Sequence, residues 1–363
     1  MKTNWKPLLA LVLCLLLGTV FLLPAAAKEK GPTETRFETV SFVVTDDKAK
    51  NMATIGKYVA EAGANDVDLI LFPELSTCGL PEDISMNTVS EEAKVYFAEN
   101  AEYVPDGPTV KQMTEWARQY DMYIAWTMLE KDPYYPDRLY NTQVLVGPEG
   151  FVGKYHKVHL AGTEAYMEEA GTAYSEVFDT RLGKIGMVTC FDKVSPDTVR
   201  ELKLRGAEIV LAPSAWPGLD QRLGDLDPIM QLYRYTGTSR TMENGVIFLE
   251  TNWAANPGDK TNAEAGHARI CDARGMSYGE TGWTEGIVVA DIDVKASLAD
   301  YYKHLDLTEE EHLDHLQQKQ DKHKKNSDTA GVALTNVKFY GSALLNTLLD
   351  ADEAVLFKHI LTK

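Results

Sequence analysis

The sequence predicts an α/β protein in which helices cover a sheet, and two observations carry that prediction. Short apolar runs such as "DLILFPE" and "EIVLAPSAW" alternate with longer stretches whose apolar residues recur at helical spacing. The alternation then repeats in the second half of the chain, so strands and helices form layers.

In chain order, "FETVSFVV" (37–44) reads as a strand. The helix after it sets Met52, Ile55, Val59 and Ala62 on one face. "DLILFPE" (68–74) is a fully apolar strand halted by Pro73. "PDGPTVKQMTEWARQYD" is a second helix and "MYIAWTML" (122–129) a third strand. "NTQVLVGPEG" turns at Gly147-Pro148 into "FVGKYHKVHL", a hairpin. "KIGMVTC" is again a strand, and "SPDTVRELKLRGA" a helix with Ser195 as N-cap, Pro196 at its first position and Gly206 as stop. "EIVLAPSAW" and "GVIFLETNW" are strands around the helix "LYRYTGTSRTMENG"; "HARICDARG" and "EGIVVADID" read as a closing hairpin. The core domain is therefore expected over 37–295, behind a polar, disordered 28–36. In the extension 296–363, "TEEEHLDHLQQKQDKHKKN" opens with a capping box, Thr308 and Glu311, and is polar nearly all round, as a solvated helix is. "DTAGVALTNVKFYG" suggests a strand and "ALLNTLLDADEAVLFKHI" a last helix, a tail able to clasp the domain or a second subunit.

Composition narrows the function. Of 363 residues, 36 are basic and 54 acidic, a net charge of -18. Phosphate binding needs clustered Lys and Arg, so a nucleic-acid partner is disfavoured and a small molecule or protein favoured. Residues 1–27 have Lys2 and Lys6, an apolar run over 8–23 and then Ala25-Ala26-Ala27, the pattern of a secretory signal. The run is shorter than the roughly 20 residues that span a bilayer comfortably, so the membrane enters only as an uncleaved anchor. The expected location is periplasmic or extracellular. Cys14 lacks the small preceding residue that lipidation needs, and it leaves with the signal. Cys78, Cys190 and Cys271 remain, an odd number that leaves a thiol unpaired within one chain.

Three polar residues stand at or just beyond apolar strands: Glu74 after "LILFP", Lys157 in "GKYHKVHL", and Cys190 closing "KIGMVTC". Sites in α/β sheets gather beyond the carboxyl ends of strands. A thiolate is a nucleophile, a carboxylate can take the thiol proton, and an ammonium favours first the thiolate and then an oxyanion. The bland alternatives are a small buried cysteine, a surface carboxylate and a solvated lysine.

"LILFPELSTCGL", "GKYHKVHL" and "IGMVTCFDKVSPDTVRELKLRGAEIVLAPSAW" resemble, in order, the three signature blocks of the nitrilase superfamily, the carbon–nitrogen hydrolases. The resemblance covers roughly 37–293 and implies a four-layer α-β-β-α sandwich. It implies Glu74 as general base, Lys157 as oxyanion-stabilising cation and Cys190 as nucleophile. Glu164, a few residues past the lysine and seven before Gly171, would position substrate or assist proton transfer; Glu168 and Glu169 compete for that place. The Phe191 N–H would complete the oxyanion hole. The implied chemistry is hydrolysis of a non-peptide C–N bond, in an amide or N-carbamoyl compound, through a thioester, with no metal or organic cofactor, in a homo-oligomer. A nitrile substrate and N-acyl transfer are the alternatives, although family members that acylate lipoproteins carry several membrane spans; a catalytically dead binding protein is the non-enzymatic alternative. The usual "YRK" reads "YHK" here, with His156, and "CxDxxxPE" reads "CFDKVSPD", with Lys193 beside the nucleophile and Asp197 for glutamate. Lys193 either favours an acidic substrate or pairs with a carboxylate.

Other signals are weaker. "GMSYG" (275–279) lacks the strand–elbow–helix setting of a serine nucleophile. His312 and His315 read as solvated, without further metal ligands. His156, His159 and His267 have no local pattern of a Cys–His hydrolase. Cys78 reads as core filler. Specificity is expected from loops 76–108, 130–140 and 214–232.

Overall fold

The structure, a computed structural model, describes residues 30–81, 90–256 and 264–330. The expected signal at 1–27 and the strand and helix expected beyond 330 lie outside them.

Two six-stranded mixed sheets stack face to face. The first has the order β12-β1-β2-β3-β4-β5, from β1 (Thr35–Ser41), β2 (Leu69–Leu71), β3 (Tyr123–Lys131), β4 (Leu139–Gly147), β5 (Gly150–His156) and β12 (Gly286–Ile292). The second has the order β11-β10-β9-β8-β7-β6, from β6 (Phe178–Thr180), β7 (Gly183–Met187), β8 (Ile209–Pro213), β9 (Ile247–Thr251), β10 (Arg269–Cys271) and β11 (Ser277–Glu280). In each, three parallel strands form the middle: β1, β2 and β3 in one, β7, β8 and β9 in the other.

Register puts matching apolar rows on the facing sides. Phe37, Leu69 and Tyr123 stand in line across the first sheet, and Ile185, Ile209 and Ile247 across the second. Both rows belong to one buried cluster between the sheets. The opposite face of the first sheet packs Val40, Ile70 and Ile124 against Ile55 and Val59 of α1 (Lys48–Ala64) and Val110 and Met113 of α3 (Pro108–Tyr120). The opposite face of the second packs Val210 and Phe248 against Val199 and Leu202 of α4 (Pro196–Leu204). Strands covered on both faces must be apolar throughout, which is why β2 and β8 read as unbroken runs. The α-β-β-α sandwich is the expected fold class.

Several expectations need correction. "HARICDARG" and "EGIVVADID" do not pair: β10 turns into β11, while β12 crosses to the other sheet and runs antiparallel to β1. Without β12, β1 would be an exposed edge strand of the first sheet, and the strand preceding α6 (Val294–Leu305) covers that edge. β1 also starts at Thr35, inside the stretch expected to be disordered; Arg36 there is fastened to Asp291 at 2.7 Å. Loop 76–108 contains a helix, α2 (Glu91–Asn100), capped by Ser90, whose Oγ accepts from Ala93 N at 2.9 Å. Ser195 stands at the N-cap of α4 without making the cap bond, because its hydroxyl donates to Asp197 instead.

The helix α7 (Glu309–Ala330) opens with the expected capping box: Glu311 Oε2 accepts from Thr308 N at 2.8 Å and Thr308 Oγ1 from Glu311 N at 3.2 Å. It is not solvated all round. His312, Leu316 and Gln320, spaced by four, are buried, His312 against Tyr301 and Gln320 against Arg200 and Glu201 of α4. Two of the three residues in this stripe are polar, so hydropathy hid it. Among the described residues no helix is long and apolar enough to cross a membrane.

Candidate active site

Two strand ends from the first sheet and one from the second meet at the same edge of the sandwich. Past β2, Phe72 and Pro73 lead into a turn that holds Glu74. Its N–H donates to Ser214 O across the sheets at 3.2 Å, and its carbonyl accepts from Trp253 Nε1. The side chain is 1% exposed. Oε1 accepts from Asn141 Nδ2 at 2.8 Å and Lys157 Nζ at 2.7 Å, and Oε2 from Ala215 N at 2.7 Å.

Lys157 follows β5 directly and is wholly buried. Its backbone is pinned on both sides, N–H to Asn141 O at 2.9 Å and carbonyl to Gly171 N at 2.8 Å. A Cβ on Gly171 would stand 2.3 Å from His156 O, so only glycine allows this loop to close on the strand. Lys157 Nζ also donates to Glu164 Oε1 at 2.6 Å, and Glu164 Oε2 accepts from Ala161 N at 2.7 Å. Glu164 retains a fifth of its surface.

Cys190 begins a 3₁₀ turn after β7, at φ +51, the left-handed region that a side chain enters at a cost. The elbow is held by Asp192, which is fully buried. Its Oδ2 accepts from Tyr155 OH and Thr189 N, both at 2.9 Å, and its Oδ1 from His159 N at 2.8 Å and faces His159 Nδ1 at 2.9 Å. One carboxylate thus ties the cysteine turn to residues on both sides of Lys157. After burial, the charges of Glu74 and Lys157 are the strongest influences on the Cys190 thiol. The Phe191 N–H lies in the opening residues of the turn, where N–H groups have no intrahelical acceptor, and its ring stacks 6.0 Å from Trp216.

Burial, and then the Glu74 carboxylate, push the Cys190 thiol well above its ordinary range. Burial alone would lower Lys157, but Glu164, Glu74 and Cys190 outweigh it and hold the ammonium well above its usual value. Glu164 is pushed up to about 7 by burial, Lys157 opposing and Glu74 adding to the shift. The cluster at rest therefore holds a thiol, not a thiolate, against a carboxylate able to take its proton.

Lys193 does not face this cluster. It is fully buried, bonds the Glu250 carboxylate and lies 3.3 Å from the centre of the Tyr233 ring. Glu250 also binds Arg269 Nε at 2.6 Å. Of the two readings of Lys193, pairing with a carboxylate is the one found. His156, His159 and His267 are each engaged by a carboxylate, Glu130, Asp192 and Glu280, and none bonds Cys190. Cys78, Cys190 and Cys271 are all free and buried; Cys78 packs with Leu75, Phe97 and Trp253. Asn141 and Asp192 were not singled out by sequence reasoning, and Glu168 entered it only as a competitor for the place of Glu164. The signal for Asp192 was its place two residues after the cysteine; for Asn141 there was none.

The carbon-nitrogen hydrolase family model matches residues 37–300, a span that contains all of these residues and both sheets except the first two residues of β1. The chain belongs to the carbon-nitrogen hydrolase family. Relatives include a nitrilase from Pyrococcus abyssi, 30% identical over 230 residues, which cover 61% of this chain and 83% of that one. An (R)-stereoselective amidase from a Pseudomonas species is 28% identical over 258 residues, covering 70% and 84%. Among solved structures, a nitrilase-superfamily member from Saccharomyces cerevisiae matches 77% of this chain and 98% of its own with a TM-score of 0.64 at 22% identity, a likeness of fold. Membership of the carbon-nitrogen hydrolases accounts for the order of the three sequence blocks and for the edge of the sandwich where they meet.

Proposed function

We propose that the protein is an amidase-type carbon–nitrogen hydrolase that works through a thioester on Cys190. The observation that carries the reading is the convergence of three buried groups: Lys157 Nζ lies 2.7 Å from the Glu74 carboxylate, and both charges act on the buried Cys190 thiol.

Because the thiol is neutral at rest, attack and deprotonation go together. Sulfur bonds to the amide carbon as its proton passes to Glu74. The carbonyl oxygen gains the electron pair and is held by Lys157 and the Phe191 N–H. Collapse breaks the C–N bond, and Glu74 returns the proton to the leaving nitrogen. Glu74 then takes a proton from water, the hydroxyl oxygen attacks the thioester carbon, and the C–S bond breaks to release acid and restore the thiol. Glu164 orients Lys157 and the incoming group.

The amidase relative supports an amide substrate, and the nitrilase relative, at 30% identity, supports a nitrile as the second reading. Both begin with attack of the same thiol. Incubation with amides, N-carbamoyl compounds and nitriles, read by ammonia release and intact mass, tests them. An acyl adduct on the wild type that is absent from Cys190→Ala is expected; undiminished turnover in that variant sinks the mechanism. Export belongs to the same proposal, resting on the signal-like residues 1–27, and the N-terminal sequence of protein recovered outside the cytoplasm tests it.

A further inference from the structure

Glu168 lies one turn past Glu164, its N–H donating to Glu164 O at 2.8 Å. It is 6% exposed, and neither carboxyl oxygen has a hydrogen-bond partner. A buried carboxyl with both oxygens unmet is costly and asks for an occupant. Its setting says which kind. Glu168 feels the charges of Glu164, Lys157 and Glu74, and Cys78 in the turn after Glu74 feels Glu168 in return. Burial with Glu164 beside it raises Glu168 well above the usual carboxylate range. Glu264 is raised to about 7 by burial and by Glu74. Three carboxyls, Glu74, Glu164 and Glu168, thus act on one ammonium, Lys157, while Lys193 and Arg269 are both committed to Glu250.

We propose that Glu168 is a specificity-determining residue that receives a protonated amine of the substrate, so that the enzyme selects amides or carbamoyl compounds carrying a positive charge. This rests on the hydrolase reading above. A cation entering beside Glu168 gives its oxygens the donors they lack. A substrate carboxylate meets an acidic wall in which Lys157 is already bonded to Glu74 and Glu164.

The test measures kcat and KM for ω-amino alkanamides of increasing length, their methyl-terminated neutral isosteres and the matching ω-carboxy alkanamides. In the wild type, the best amino amide is expected to exceed its neutral isostere in kcat/KM by about 10- to 100-fold, the range of a hydrogen-bonded charge, and the carboxy amide to be poorest. Glu168→Gln should collapse the amino-to-neutral ratio at least about tenfold, mainly through KM, and Glu168→Asp should retain part of it. A merely structural Glu168 would lower both substrates together, and an unchanged ratio in Glu168→Gln overturns the assignment. So does a wild type that hydrolyses neutral amides as well as amino amides, and in that case the hydrolase reading stands. If no amide of any charge is hydrolysed or leaves a thioester on Cys190, the hydrolase reading itself falls and this inference with it.

Discussion

Replacing Asp192 with asparagine should loosen both halves of the active site at once. The carboxylate meets four groups at 2.8–2.9 Å: the N–H and Nδ1 of His159, the hydroxyl of Tyr155 and the N–H of Thr189. A carboxylate only accepts, so all four donate. Asparagine keeps the shape but offers one oxygen, and turns an NH₂ toward two of the donors. Stranding two buried donors costs about 1–3 kcal/mol each, or roughly 2–6 kcal/mol together. For a chain of this size that lowers Tm by roughly 5–20 °C. The larger effect falls on rate, because Tyr155 and His159 flank Lys157, and Thr189 and Asp192 flank Cys190. A displacement of about 1 Å between nucleophile and cation costs on the order of 100-fold in kcat. Thermal unfolding and steady-state kinetics on one substrate measure both, with Tyr155→Phe, which removes a single donor, as the milder comparison. An Asp192→Asn enzyme with kcat within about threefold of wild type and an unshifted Tm would refute the argument that this carboxylate holds the elbow.

Lys157→Ala should lower kcat by about 100- to 1,000-fold, the usual effect of deleting one oxyanion donor; a change confined to KM would show that Lys157 only binds the ground state. Glu250→Ala strands the buried cations Lys193 and Arg269 and should destabilise the fold by about 3–5 kcal/mol, read as a lowered denaturation midpoint, with no change in midpoint counting against the cluster. Burial, with Glu61 adding to it, pushes Glu38 beneath α1 up to about 8, so the folded chain holds a proton that the unfolded chain gives up near 4.5. Stability therefore falls as pH rises from about 4.5 to about 8, and Glu38→Gln should recover a few kcal/mol at the upper end and almost nothing at the lower. A stabilisation that is the same at both ends of that window would contradict the assignment.

The sandwich and the three strand-end residues were legible because their signals are local. Strands buried on both faces are apolar without interruption, and a charged residue or a cysteine at the end of such a run stands out. What stayed hidden depends on partners far along the chain. Lys193 could be read as a cation for an acidic substrate or as half of an ion pair, and only Glu250, 57 residues on, decides between them. β12 reads as the mate of β10 because they are near in sequence, yet β1 takes it. The buried stripe of α7 is His312, Leu316 and Gln320, and no apolar period marks it. Glu168 differs from Glu164 only in what surrounds its carboxyl, which spacing does not express.

The site spans the two sheets, and this has a consequence for how activity appears as the chain folds. Glu74 and Lys157 hang from the first sheet, 83 positions apart in the chain, and Cys190 hangs from the second. Closing loops of that length precedes any reward from the contacts they make, so such pairings form late. A chain with either sheet assembled alone carries a cysteine with no base beside it. In a refolding time course the helical and strand signals must therefore rise first, and hydrolytic turnover becomes a clock for the closing of the sandwich.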